Sequence, residues 1–327
     1  VVRFVAGRLL QGIVVVFVLA TLTFILFRLA PGDPFTRMGD ASPASEDFKA
    51  RARRNFGLDQ PLHTQYLRYL ANLARGDLGM SFSEQRPVLK AIAARIPATI
   101  ALAATALLID FLLGILVGAI QGARTGSKLD DLLSVMTLTL YSVPVFWLGL
   151  MLVLVFAHNI GLLDLLPATG SKTTGVYEYL TPLGQLGNRI HHLILPAVTL
   201  GLVGAAGTAR YQRAAMLDVI RQDFIRTARA KGLVERAVLL RHALRNSLLP
   251  IITLFGLSLG TLLSGAVLVE TVFAWPGLGK FMVDAIYARD YNVVTGAVII
   301  SACMVVLGNL LADILYRAVD PRVRGAA

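Results

Sequence analysis

The stretch nearest to a chemical motif is Gly277-Leu278-Gly279-Lys280. A nucleotide-binding phosphate loop needs a glycine separated by four residues from its Gly-Lys pair, and a Ser or Thr after the lysine. Here those positions hold Ala274 and Phe281, so the stretch fails as a nucleotide cradle. Leu263-Ser264-Gly265 lies inside an apolar run and fails as an ATPase signature. Ionisable residues inside apolar runs are functional candidates by default. They are Asp110, Asp313 with Asn309 nearby, and Glu270 at the end of a run. Asp110 either lines a polar pathway or pairs with a neighbouring helix, and pairing is the preferred reading. No Ser–His, His–Glu or paired-Asp constellation is evident, so no catalytic residue is expected. The five histidines show no metal-ligand spacing, and His191-His192 reads as an interfacial pair before a helix. Cys303 is the only cysteine, which excludes an intrachain disulfide and a cysteine-based metal cluster.

These residues sit among elements set by the apolar pattern. Of 327 residues, 56% are apolar and 16% charged, where a soluble chain carries roughly 25% charged residues. The apolar residues gather into runs of about 20, the length that a hydrocarbon slab asks of a spanning helix. The expected fold is an all-α polytopic membrane protein with six spans. They are Leu9–Leu29, Thr99–Ile120, Leu133–Ala157, Leu193–Ala209, Leu248–Val269 and Val293–Leu315. The first run lacks a small-residue cleavage site and reads as a retained span. The fourth is short and rich in Gly and Ala, which suits close helix packing inside a bundle.

The net charge of +11 does not point to nucleic acid, because the basic residues cluster in connections between apolar runs. Arg3 and Arg8, Arg124 and Lys128, the connection from Arg210 to Arg245, and Arg317, Arg322 and Arg324 all fall on one side. The positive-inside rule makes that side cytoplasmic, with both termini on it. The expected division is 1–30 for the tail and first span, 31–97 for an outer loop, 98–320 for a five-helix core, and 321–327 for a tail. Within the outer loop Leu62, Tyr66, Tyr69, Leu70 and Leu73 recur at helical spacing, between Pro61 and Gly76 as start and stop signals.

Within the core, the connection 210–247 is the most informative. Arg221 to Gly232 reads as a short basic helix stopped by a glycine turn, with Val219, Phe224 and Ala228 as an imperfect apolar stripe. A second helical segment, Glu235 to Asn246, leads to Ser247 and Pro250. Helix, turn and helix make a compact knob, which either docks a soluble partner or lies on anionic lipid. In the third span Pro144, beside Tyr141 and Ser142, predicts a kink, and a kink facing a cavity would help to form a pathway. In the last outer connection Trp275 and Phe273 suit interfacial anchors, and Pro276-Gly277 is a turn. After the fifth span the chain is read either as re-entering the outer face to cap or gate a pathway, or as a simple anchored hairpin.

Several of these stretches resemble one family. Arg226-Thr-Ala-Arg-Ala-Lys-Gly232 is similar to the EAA loop of ABC importer permeases in its peptide-importer form, with Arg226-Thr227-Ala228 in place of Glu-Ala-Ala. Leu244-Arg245 stands where the general pattern has Leu-Pro, a departure that the peptide branch shares. Arg28-Leu-Ala-Pro-Gly-Asp-Pro34, Phe56-Gly-Leu-Asp-Gln-Pro61 with Gly76-Asp-Leu-Gly79 and Ser81, and Glu270 to Gly279 with Arg289-Asp290-Tyr291 resemble the same branch. Together the match spans nearly the whole chain and looks like the first-permease (B-type) subunit of an oligopeptide/dipeptide (peptide/nickel) importer.

The resemblance implies a type I ABC importer permease bundle in a bacterial inner membrane. It implies coupling to ATPase subunits through Asp223, Phe224, Arg226, Thr227, Ala228, Arg229, Lys231 and Gly232. Asp110, Tyr141, Pro144, Glu270, Trp275, Pro276 and Gly277 are the candidates for a pathway or gate. The implied partners are a second homologous permease, two ABC ATPase subunits, an extracytoplasmic binding protein, a peptide substrate and membrane lipid. No cofactor or metal is expected on this chain, with ATP and Mg held by the ATPases. The alternative is an ion-driven secondary transporter of small polar solutes, which asks for inverted repeats and several midplane charges. Asp110 is nearly alone in that role. An intramembrane enzyme ranks last.

Overall fold

The computed structural model describes residues 2–29, 60–158, 160–263 and 266–319. Residues 30–34, 56–59 and 321–327, which carry parts of two expected motifs and the C-terminal tail, lie outside them. Among the described residues the regular elements are all helices, without a β-strand. In chain order the helices are α1 (Val2–Leu29), α2 (Leu62–Ala74), α3 (Val88–Ala93), α4 (Ile96–Ala123), α5 (Lys128–Ser142) and α6 (Val145–Phe156). There follow α7 (Pro182–Ile220), α8 (Asp223–Ala230), α9 (Glu235–Ser247), α10 (Leu249–Leu263), α11 (Val267–Val272), α12 (Leu278–Tyr287) and α13 (Tyr291–Val319). Four helical stretches are long and apolar enough to cross a membrane, and the count reaches six if each of two bent pairs is one span.

Those two pairs depart from the expected straight spans. α5 and α6 meet at 106° across Val143-Pro144, a break where the sequence suggested a kink. The proline ring pushes the preceding residue into extended backbone, and Val143 has ψ 130°. α9 and α10 meet at 45°, and the expected fifth span to Val269 is not one continuous helix, since Ala266 (ψ 66°) is non-helical before α11. α7 is far longer than the span expected from Leu193 to Ala209. His191-His192 therefore lies within it, and His192 is buried with its ring nitrogens on Thr173 and the Thr169 and Gly170 carbonyls.

α4 and α7 form the centre of the bundle. Glycine makes their approach possible, since a Cβ at Gly122 would lie 2.6 Å from the Met216 Cβ, and one at Gly118 would collide with the Ala209 carbonyl. On the fourth span, a Cβ at Gly201 would lie 2.6 Å from the Ile109 Cβ and one at Gly204 would collide with the Asp110 carboxylate, so these small residues, which made the span look weak, face α4. α13 packs between α1 and α10, with Arg8 paired to Asp313 at 2.8 Å. Asp313, a candidate by its place in an apolar run, is thereby bound to a neighbouring helix.

In the outer loop, α2 starts after Pro61 and ends before Gly76 (φ +75°), as the punctuation predicts. It leans on α1, with the Tyr66 hydroxyl 2.8 Å from Thr21 and both Tyr66 and Tyr69 rings against Phe24. Further on, Asp290 is fully buried and accepts from the Ser81 and Ser83 hydroxyls at 2.7 and 2.9 Å. Two motifs read separately in the sequence, Gly76–Ser81 and Arg289–Tyr291, are thus joined 209 residues apart.

Glu84 closes the same region by bonding Arg86 and Arg95. Burial pushes the Glu84 carboxyl up, but these two guanidiniums outweigh it and hold the group below its ordinary value. A depressed carboxylate stabilises the fold above its unfolded pKa and loses that contribution as pH falls through its folded pKa. Protease resistance of residues 76–95 is therefore expected to hold at neutral pH and to fall at pH below the ordinary carboxylate range. Glu84→Gln is expected to remove that part of the pH dependence, and an unchanged profile in the variant would refute the assignment.

Candidate functional site

The basic knob is built on the end of α7. Ile225 and Ala228 on α8 are buried against Met216 and Val219 of α7 and against Val238 and Ala243 of α9. The expected stripe of Val219, Phe224 and Ala228 is corrected by one position. Ile225 faces inward and Phe224 is 39% exposed. The inward positions 225 and 228 are three residues apart and 224 and 228 are four apart; either spacing puts both residues on one helix face, so sequence alone did not separate the two phases. Gly232 ends the helix with φ +77°, a left-handed turn as expected, and Leu233 N–H donates back to the Ala228 carbonyl.

The polar side of the knob is exposed. Asp223, Arg226, Thr227 and Lys231 face outward, with Arg226 within 3.4 Å of Asp223 and the Thr227 hydroxyl on the Asp223 carbonyl. Arg229 is held differently, in a two-pronged pair with Glu235 at 2.7 and 3.1 Å that clamps α8 to α9. It fixes the shape of the knob, whereas Arg226 and Phe224 are presented by it.

Polar side chains join the knob's supports to the bundle. Asp130 on α5, almost fully buried, takes both prongs of Arg213 on α7 at 2.9 Å. Gln121 on α4 donates to Ser134 on α5, and Gln212 on α7 donates to Ser247 at the end of α9 at 2.7 Å. The sequence reading took the charges of these connections only as markers of sidedness, named Ser247 only as the entry to the fifth span, and missed Gln121 and Gln212.

The connection after α10 forms a second candidate region. Glu270 is fully buried, and its carboxylate accepts from the Thr99 hydroxyl and the Lys280 N–H, each at 2.9 Å. Thr99 in turn accepts from Leu278 N–H at 2.8 Å. The N-terminus of α12 thus finds an acceptor for its amide from within the chain. The glycine-lysine turn that resembles a phosphate loop has its amides occupied by this carboxylate. Gly277 is required there, because a Cβ would collide with the Glu270 carboxylate.

Trp275 and Phe273 correct an expectation, being 3% and 1% exposed rather than interfacial anchors. The Trp275 indole donates to the Ala98 carbonyl at 2.9 Å, while Phe273 packs with Leu195 and Val269. Pro276 is exposed at the turn. The connection holds two short helices, α11 and α12, rather than a plain hairpin.

The remaining pathway candidates part company. Asp110 is buried between α4 and α7, accepting from Thr208 at 2.6 Å, which is the pairing arrangement. Tyr141 is exposed beneath the Arg210 guanidinium, at 4.9 Å. Pro144 lines an open, mainly apolar hollow of about 540 Å³ with Leu138, Thr139, Ser142, Val143 and Trp147. Among the described residues no group of three or more His, Cys, Asp or Glu is placed to hold a metal ion.

Two family profiles match the chain. Residues 110–325 match the binding-protein-dependent transport system inner membrane component, and residues 1–103 match the N-terminal membrane component of such systems. The di/tripeptide transport system permease protein DppB of Pseudomonas aeruginosa is 42% identical over 331 residues, covering 98% of both chains. The oligopeptide transport system permease protein AppB of Bacillus subtilis is 41% identical over 321 residues, also covering 98% of both. In fold, the chain resembles a solved inward-facing MetNI methionine ABC transporter, with a TM-score of 0.55 and 20% identity over 71% of this chain and 97% of that one. The chain belongs to the family of inner-membrane components of binding-protein-dependent transport systems, the permease subunits of ABC importers.

Proposed function

We propose that this chain is the membrane-spanning permease subunit of an ATP-driven peptide importer, lying in a bacterial inner membrane with both termini cytoplasmic. It pairs with a second homologous permease, two ATPase subunits that hold ATP and Mg, and an extracytoplasmic binding protein that delivers peptide. The observation that carries the reading is the knob, a basic helix closed by a left-handed glycine turn with Phe224 and Arg226 outward. Its inward residues Ile225 and Ala228 touch both α7 and α9, so a push on the knob reaches two helices of the bundle at once. The names of the full-length relatives support peptide as cargo. The chain's own part is to bind the ATPases, to form half of the path and to transmit motion, with no covalent step.

Purification in gentle detergent tests this. The chain is expected to bring with it a second multi-span protein and ATPase subunits with ATPase activity. Phe224→Asp and Arg226→Glu are expected to reduce ATPase recovery about tenfold, equivalent to about 1.4 kcal/mol. Arg229→Ala is expected to act more weakly on that contact, because its guanidinium is committed to Glu235. A lone chain in a detergent shown to preserve such assemblies, or full ATPase recovery with both variants, would overturn the reading.

A further inference from the structure

The segment between the knob and α10 carries two unusual features side by side. Val238–Leu244 within α9 is wound as a π-helix, a rare form that occurs mostly as single-turn bulges and often at functional sites. Three residues beyond it stands Ser247, fully buried, which accepts from the Gln212 amide at 2.7 Å and donates to the Leu244 carbonyl at 2.9 Å. Gln212 is itself fully buried, and its side-chain carbonyl has no partner among the described residues. A buried carbonyl left without a partner costs free energy.

We propose that Gln212 and Ser247 are positioning residues for coupling, holding the π-wound segment in register with α7. The inference rests on the knob being the ATPase contact. The π-wound turn accommodates an extra residue relative to an α-helix, and its relaxation to α passes one residue through the turn. In an α-helix one residue corresponds to about 100° of rotation and 1.5 Å of rise. Displacement of the knob drives this change through Val238 and Ala243, which pack on Ile225 and Ala228. The Gln212–Ser247 bond marks the end of the segment and ties that change to α7, the helix at the centre of the bundle. Without the bond the knob still docks, but its movement is absorbed in α9 and fails to reach α7.

The test is made on the whole assembled importer in lipid vesicles, with a di- or tripeptide and its binding protein added. Ser247→Ala is expected to leave ATPase recovery and the unstimulated hydrolysis rate near wild type, while stimulation by peptide-loaded binding protein falls at least fivefold. Ser247→Thr keeps the hydroxyl and is expected to restore stimulation to within twofold of wild type. Gln212→Leu is expected to behave as Ser247→Ala. Normal stimulation in Ser247→Ala, or Ser247→Thr as poor as Ser247→Ala, overturns the inference while the proposed function stands. Loss of the ATPases from the wild-type chain itself would instead remove the reading on which it rests. Should Gln212→Leu fail to assemble, the two Ser247 variants decide.

Discussion

Glu270→Ala is expected to loosen the α11–α12 connection and to cost about 3–5 kcal/mol, because it strips partners from several buried donors at once. In the native chain one carboxylate serves the Thr99 hydroxyl on α4 and the Lys280 amide at the start of α12. Thr99 then relays to Leu278 N–H, so three short or terminal helix segments depend on this side chain. Truncation leaves those groups buried without acceptors and opens a void where the carboxylate stood. Glu270→Gln keeps an acceptor oxygen but turns an amide toward a donor, and a smaller loss of about 1–3 kcal/mol is expected. Gly277→Ala attacks the same contact from the other side, since the new methyl collides with the carboxylate. The readout is the thermal midpoint of the purified importer, with peptide uptake beside it. Both Glu270→Ala and Gly277→Ala are expected to lower the midpoint and abolish uptake, and the double variant to fall no further than the worse single one. ATPase attachment at the knob is expected to persist. A wild-type midpoint for Glu270→Ala, or a neutral Gly277→Ala, would sink this account.

The spans were legible because lipid leaves so few solutions. A run of about 20 apolar residues has to be helical for its backbone to be satisfied. The glycine at the end of α8 and the Pro61–Gly76 frame of α2 were legible for a local reason, since left-handed and helix-starting positions ask for particular residues. The phase of a short helix was not. Phe224 and Ile225 are both apolar neighbours, and only the fold shows that the inward position is Ile225. Trp275 misled in the same way, because an amphipathic ring suits an interface or a buried site with one acceptor, and here Ala98 supplies the acceptor. The break at Pro144 was read as a kink because a proline sets the backbone of its neighbour but not the angle that the following helix takes. The long contacts, Asp290 to Ser81 and Gln212 to Ser247, join elements far apart in sequence, and nothing in the local pattern announces them.

The α4–α7 contact leads to an expected reversal of sign between two glycines that look alike in the sequence. A glycine inside a helix is worth roughly 0.5–1 kcal/mol less than alanine, so Gly→Ala stabilises a helix wherever the methyl has room. Gly187 on α7 is such a site, exposed and with nothing within 4 Å of an added Cβ. Gly187→Ala is expected to leave the thermal midpoint unchanged or slightly raised. Gly118 on α4 is the opposite case, because its Cβ would run into the Ala209 carbonyl and lie 2.7 Å from the Gln212 Cβ. A carbonyl in the middle of a helix cannot step aside as the end of a side chain can, so the two helices have to move apart. Overpacking of this kind costs about 1–3 kcal/mol for a small addition, and Gly118→Leu is expected at or beyond the top of that range. The separation also displaces Gln212 from Ser247, so Gly118→Ala is expected to reduce peptide-stimulated hydrolysis even where the importer still assembles. Thermal midpoints of the three variants, measured in one detergent, check the order Gly187→Ala, Gly118→Ala, Gly118→Leu from most to least stable. Equal midpoints for Gly187→Ala and Gly118→Ala would mean that α4 and α7 are not in contact at this point, and the centre of the bundle would have to be drawn differently.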